Sequence, residues 1–206
     1  MPRNTRPLAT ALVVAAGLYA AGCHPTGVET VTDLDTVATA HDSSFNFATP
    51  TTYSLADRVR VIGAPDAGPP QDIDPALEQT ILNTIDNEMG ALGYQKVNPG
   101  QQPDLLMTAG VLTVTNVTYY YGYWCGYWAY YYPCYPYYPP VVGVSTYVIG
   151  TLVIDMATPS SAPVQLNGVW TAIVRGVQSG SASQDQVRVV NGISQAFIQS
   201  SYLGRP

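Results

Sequence analysis

Positive charge is scarce in this sequence. Eight lysines and arginines stand against fourteen aspartates and glutamates in 206 residues, a net charge of −6, and the cations form no cluster. Nucleic acids are held chiefly by neutralising their phosphates, so a dispersed and outnumbered set of cations excludes them as partners. Histidine is scarcer still, with only His24 and His41. Both lie far in sequence from Cys125 and Cys134 and do not complete a four-ligand zinc site with them. Neither histidine is placed as the base that a serine or cysteine nucleophile needs. A phosphate-cradling glycine loop and a dinucleotide fingerprint are both missing. No cofactor, no metal and no catalytic set is therefore expected, and the reading is of a non-enzyme. Nor is a permanent spanning helix expected at the start of the chain. Leu8 to Ala21 is fourteen residues without a charge, whereas crossing about 30 Å of hydrocarbon takes about twenty.

What the first residues do offer is an export signal. Arg3 and Arg6 precede the uncharged run, which is the charged-then-apolar order of a secretory peptide. The run ends Leu18-Tyr19-Ala20-Ala21-Gly22-Cys23. This resembles the lipobox of bacterial lipoproteins, although Ala20 stands where leucine is commonest. The resemblance implies acylation of Cys23 after removal of residues 1–22, so that palmitate or a similar chain holds the protein to a membrane. The alternative is an ordinary signal cut near Ala21 or Gly22. By resemblance to enteric sorting, His24 after the cysteine, rather than aspartate, implies the outer membrane, with the protein facing the periplasm. Lipidation of Cys23 also leaves Cys125 and Cys134 as an even pair, and the prolines and glycines around them favour a turn that lets a disulfide close. Two unpaired thiols are the competing reading.

Hydrophobic periodicity organises the rest. Residues 23–32 read as a tether, and residues 33–206 as one domain. A first strand is expected over Thr30 to Thr39 and a second from about Thr51 to Ile62. Gly63 to Asp72 holds three prolines and reads as a loop. Asp74-Pro75 supplies a cap and a first-turn proline for a helix whose stripe is Leu77, Ile81, Leu82, Ile85, Met89 and Leu92, stopped at Gly93. Three β segments follow, at Asp104 to Thr118, Ser145 to Met156 and Gly168 to Arg175. Ser183 and Gln186 have capping-box spacing before a closing helix striped by Val187, Val190, Ile193 and Phe197, with Asn191-Gly192 as a point of interruption. The sum is an α+β domain: a mainly antiparallel sheet with two helices packed on one face.

The order of these segments resembles that of a family of bacterial lipoproteins known as domain of unknown function 4136. The likeness is carried by Asp33-Leu34-Asp35, Phe45-Asn46-Phe47, Thr52-Tyr53, Gly93-Tyr94, Pro103-Asp104-Leu105-Leu106, Gly150 to Asp155, Val169-Trp170 and Arg175-Gly176. It implies an α+β lipoprotein domain without an established activity, and no catalytic residues are carried over. Thr171 departs from the pattern, in which a basic residue often follows the tryptophan.

One segment is unusual. Tyr119 to Pro140 holds eleven tyrosines, two tryptophans, four prolines and no charge in 22 residues. Tyrosine and tryptophan join a broad apolar ring to a polar tip, which suits protein interfaces, glycan stacking and the headgroup layer of membranes. An aromatic-rich insertion in a hairpin is expected, binding an envelope protein or glycan through Tyr121, Tyr123, Trp124, Tyr127, Trp128, Tyr130 and Tyr137. Trp124 and Trp128 are the foremost, and the domain is expected to fold without the insertion. Two alternatives stand beside this: an aromatic flap that only packs on the sheet, and a hydrolase using Asp33, Asp35 or Asp155. Asp155, which follows an apolar strand run, reads first as a strand-end cap and second as a buried carboxylate.

Overall fold

The structure, a computed structural model, describes residues 37–62, 73–112, 128, 150–159, 166–177 and 181–204. Seven strands are described: β1 (Val37–His41), β2 (Thr52–Leu55), β3 (Arg60–Ile62), β4 (Gln95–Lys96), β5 (Leu105–Leu112), β6 (Thr151–Pro159) and β7 (Leu166–Val174). Two helices accompany them, α1 (Pro75–Ala91) and α2 (Ala182–Gln199). The sheet runs β1-β7-β6-β5-β2-β4, with β3 also on β5. β1, β7, β6 and β5 are antiparallel neighbours, but β2 and β3 lie parallel to β5, and β4 parallel to β2. The sheet is thus mixed rather than wholly antiparallel. The parallel pairs follow from α1, which carries the chain from the β2–β3 region back before it enters β4 and β5.

The α1 helix forms where its residues direct it. The Asp74 carboxylate accepts the Ala76 and Leu77 N–H groups at 3.0 Å each, and Pro75 occupies the first turn, where its missing donor costs nothing. Leu77, Ile81, Leu82, Ile85 and Met89 are buried. Gly93 takes φ 86°, and Tyr94 N–H returns to the Met89 carbonyl at 3.0 Å, which ends the helix.

The α2 helix departs from expectation in two respects. Ser183 and Gln186 lie inside it, and the N-cap is Ser181, so the capping box does not form. Val187 and Val190 are 59% and 38% exposed. Ile193 and Phe197 of the expected stripe are buried, and Asp185, Val189, Gly192 and Ala196 join them. Gly192 does not interrupt the helix. A Cβ there would lie 2.2 Å from Val174 Cγ1, so glycine lets α2 approach β7 closely.

Both helices pack on one face of the sheet, over Leu105, Met107, Ala109 and Val111 of β5, Leu152, Ile154 and Met156 of β6, and Trp170, Ala172 and Val174 of β7. Trp170 Nε1 donates to Ser200 Oγ at 2.9 Å and its ring lies 5.3 Å from that of Phe197. Ser194 Oγ donates to Glu88 Oε1 at 2.5 Å, joining the helices. Asp104 Oδ2 accepts the N–H and hydroxyl groups of both Thr51 and Thr52, which ties the entries to β2 and β5 together.

The other face is buried too. Leu106, Thr108, Leu112, Thr151, Val153, Asp155, Ala157, Thr171 and Ile173 alternate with the helix-side residues, and none is more than 2% exposed. Strands covered on both sides read as near-continuous apolar runs, and Leu105–Leu112 is such a run, interrupted by Thr108.

Candidate functional site

Asp155 stands at the centre of that second face. Its cross-strand neighbours are Thr108 on β5 and Thr171 on β7. The three form a polar row between Leu106 and Val153 on a face that is otherwise mostly apolar. Thr171 Oγ1 donates to Asp155 Oδ1 at 2.6 Å. Burial pushes the Asp155 carboxyl up to about 8, against the lowering effect of the Thr171 hydrogen bond. Removing a carboxylate from water disfavours its charged form, so at neutral pH this group holds its proton. It lies in the middle of β6, which corrects the strand-end-cap reading and agrees with the alternative of a buried carboxylate. Sequence reasoning missed Thr108 and Thr171 as its neighbours. A signal existed: Asp155 is the sole Asp, Glu, Lys, Arg or His between Asp104 and Arg175.

A second polar group joins α1 to the β2–β4 edge. Tyr53 donates its hydroxyl to Asp86 Oδ1 at 2.9 Å, and Lys96 Nζ meets Asp86 Oδ2 at 2.5 Å. Burial, then the Asp86 hydrogen bond and charge, raise the Tyr53 phenol. A phenol held protonated is a structural donor rather than a base. His41, the histidine within the described residues, is an aromatic packing group. It stacks on Tyr202 at a centroid distance of 3.9 Å and meets Phe47 edge-on at 6.2 Å. Among the described residues no group of three His, Cys, Asp or Glu side chains could hold a metal ion. Within the same residues no helix is long and apolar enough to cross a membrane.

Of the aromatic residues singled out from the sequence, Trp128 is described, and it is 0% exposed. Its indole is therefore not part of a solvent-facing patch, contrary to expectation. An aromatic ring of that size buries the most apolar area when packed rather than displayed. Tyr121, Tyr123, Trp124, Tyr127, Tyr130 and Tyr137 lie outside the described residues. So do Cys23, Cys125, Cys134, His24, Asp33 and Asp35.

A family model, Domain of unknown function (DUF4136), matches residues 37–200. Among solved structures, a DUF4136 family protein from Bacteroides thetaiotaomicron is similar at 25% identity and TM-score 0.67, over 82% of this chain and 97% of that one. The PelC dodecamer from Paraburkholderia phytofirmans aligns at 12% identity and TM-score 0.36, over 81% of this chain and 99% of that one. A PDZ domain protein from Parabacteroides distasonis aligns at 14% identity and TM-score 0.41, over 80% of this chain and 35% of that one. The last two similarities are too low to carry an argument. No curated protein matches the chain.

Proposed function

The chain belongs to the DUF4136 family, and from that premise we propose that it is a non-enzymatic, lipid-anchored protein of the cell envelope that binds a protein or glycan partner through its Tyr/Trp-rich segment. The observation that carries this reading is the placement of thirteen aromatic residues, without a charge, in Tyr119 to Pro140, in the connection between β5 and β6. Tyrosine and tryptophan supply large contact area at low conformational cost and carry a disproportionate share of binding energy at interfaces. Trp128 is 0% exposed and is therefore set apart from the contact residues. Trp124 and the tyrosines at 121, 123, 127, 130 and 137 are left as contact residues. A disulfide between Cys125 and Cys134 fixes the shape of the segment in an oxidising compartment. The anchor is an acyl chain on Cys23, which sets the domain at the outer membrane facing the periplasm.

Two measurements test this. The mass of the mature protein is expected to correspond to an acylated Cys23 at its N-terminus, and Cys23→Ser is expected to shift it to the soluble fraction. Intact-cell crosslinking and co-sedimentation with purified peptidoglycan are expected to capture the wild-type chain. They should lose a Trp124→Ala, Tyr137→Ala variant that melts as the wild type does. An unacylated mature chain removes the anchor from this reading. Equal capture of the double variant removes the aromatic contact.

A further inference from the structure

The two ends of the sheet are finished differently. One ends in β4, which is two residues long and carries Lys96 against Asp86. A very short strand bearing a charge is a common way to keep a sheet edge from pairing with another chain. The other end is β1, Val37-Ala38-Thr39-Ala40-His41, which pairs over its whole length with β7 and with no other described strand. It has no proline, no bulge against β7 and no Asp, Glu, Lys or Arg. Its residues are half-buried or exposed, whereas every residue of β5 is buried. Asp42 N–H donates to the Val169 carbonyl at 2.9 Å, and hydrogen-bonded pairs alternate along an antiparallel ladder, so Ala40 and Ala38 turn their main-chain groups toward β7 as well. Val37, Thr39 and His41 therefore turn theirs toward the open edge, where no described main-chain group pairs with them.

We propose that the open edge of β1 is an interface between two copies of this chain, in which β1 pairs antiparallel with its own copy about a two-fold axis through Thr39. That register sets Thr39 opposite Thr39 of the second copy and Val37 opposite His41 of the second copy. All the outward main-chain groups then fall in hydrogen-bonded pairs, about six bonds in total. The occupant is a second copy because the strand is complementary to itself. Its outward positions are the first, third and fifth of five residues, symmetric about the middle one. A strand laid against its own copy is penalised where like charges meet, and β1 carries none, while two threonines facing each other form a favourable pair. Asp42, the first carboxylate after the strand, lies three residues from the axis. Its two copies therefore stand about 20 Å apart, at about 3.4 Å per residue, which salt screens. The edge is also ordered before it pairs. The His41 ring stacks on Tyr202, Val37 packs against the core, and every residue of β1 is in register with β7. Five residues from each copy bury less than the about 1,200 Å² of a standard interface, so the dimer is reversible and concentration-dependent. This pairing rests neither on the Tyr/Trp-rich segment nor on the anchor.

Sedimentation of the mature full-length chain carrying Cys23→Ser, which removes any acyl chain that would itself gather copies, reads the mass against concentration. The mass is expected to rise from one chain to two. The Thr39 and His41 amides are expected to exchange with solvent quickly in the dilute sample and slowly in the concentrated one. Thr39→Pro removes the central outward donor without touching the bonds to β7, since proline is tolerated on an edge strand where its missing N–H faces solvent. Losing the two central bonds is expected to weaken the dimer by about ten-fold or more, in a variant that melts as the wild type does. A single-chain mass at every concentration overturns the proposal, and so does an unchanged dimer in Thr39→Pro. Thr39 and His41 amides already protected in the monomer overturn it too, because the edge is then covered from within the chain. If Thr39→Pro melts early, Thr39→Lys and Thr39→Glu decide. Each alone must dimerise more weakly than the wild type, and an equal mixture must restore a two-chain species. A mixture no stronger than its components overturns the two-fold register.

Discussion

Thr171 donates its hydroxyl to Asp155 across the β6–β7 pair at 2.6 Å, with both residues buried. The pair holds a carboxyl group in the middle of a mostly apolar layer, which gives the stability of the domain a pH-dependent contribution. The folded-state value is raised from 3.8 to about 8. A raised folded value means that the folded chain keeps a proton the unfolded chain releases. This group's contribution is therefore complete below about pH 4 and is lost as the pH rises toward 8. Every ten-fold difference in proton affinity between the two states is worth about 1.4 kcal/mol. Asp155→Asn keeps a carbonyl to accept from Thr171 and carries no charge. It is expected to raise the melting temperature at pH 8 by several degrees, with the gain shrinking toward pH 4. Thermal melts across that range check it, and parallel pH profiles for the two proteins would sink it.

Gly192 sets the distance between α2 and β7. Gly192→Ala brings a Cβ to 2.2 Å from Val174 Cγ1, closer than packing allows. Overpacking of this kind costs about 1–3 kcal/mol, against a helix-propensity gain of about 1 kcal/mol for alanine. The net expectation is a lower urea midpoint with an unchanged slope. Adding Val174→Ala should recover part of the loss by removing the opposing methyl groups. An alanine variant as stable as the wild type would show that the helix can shift without cost.

Asp104 is the hinge pin of the parallel pairing. Burial raises its carboxyl, but the backbone and hydroxyl hydrogen bonds from Thr51 and Thr52 outweigh it, and the net value lies below 3.8. A lowered folded value stabilises the fold above the unfolded value, and the contribution fades as the pH falls through the folded one. Asp104→Ala leaves the Thr51 and Thr52 N–H groups without their acceptor. Because the site is largely exposed, water takes over part of that role, and the cost is about 1–2 kcal/mol. A denaturant melt of the variant at pH 7 checks the size. As the pH falls through the lowered folded value the wild type and the variant should converge, and a gap that persists once the carboxyl is protonated would assign the loss to packing instead.

The first helix was legible because its signals are local. Asp74, Pro75, the Leu77–Met89 stripe and Gly93 all lie within one window and agree. The second helix was less legible, since Val187 and Val190 share the apolar character of Val189 and Ile193. Composition cannot say which valines face β7. That depends on Gly192 meeting Val174, a contact between elements. The mixed pairing was hidden for the same reason: Tyr53 lies beside Leu105 across α1, and register between distant segments leaves no local periodicity. The run Leu105–Leu112 did carry a sign of the buried second face, because it lacks the polar alternation of a sheet open to water. The Asp155 row was partly legible from the isolation of that one charge, whereas Thr108 and Thr171 are invisible without the register.

Removing residues 122–137 is expected to spare the cooperative melt, because the described strands and helices lie outside that stretch and halving a connection changes its closure entropy by only about 0.6 kcal/mol. The same deletion is expected to abolish capture of an envelope protein or glycan, since it removes Trp124 and most of the tyrosines of the segment. A thermal melt of the mature chain lacking residues 122–137, run beside the capture experiment, checks both. A deletion that unfolds the domain would favour an aromatic flap that packs on the sheet, and one that leaves every envelope interaction intact would move the contact elsewhere.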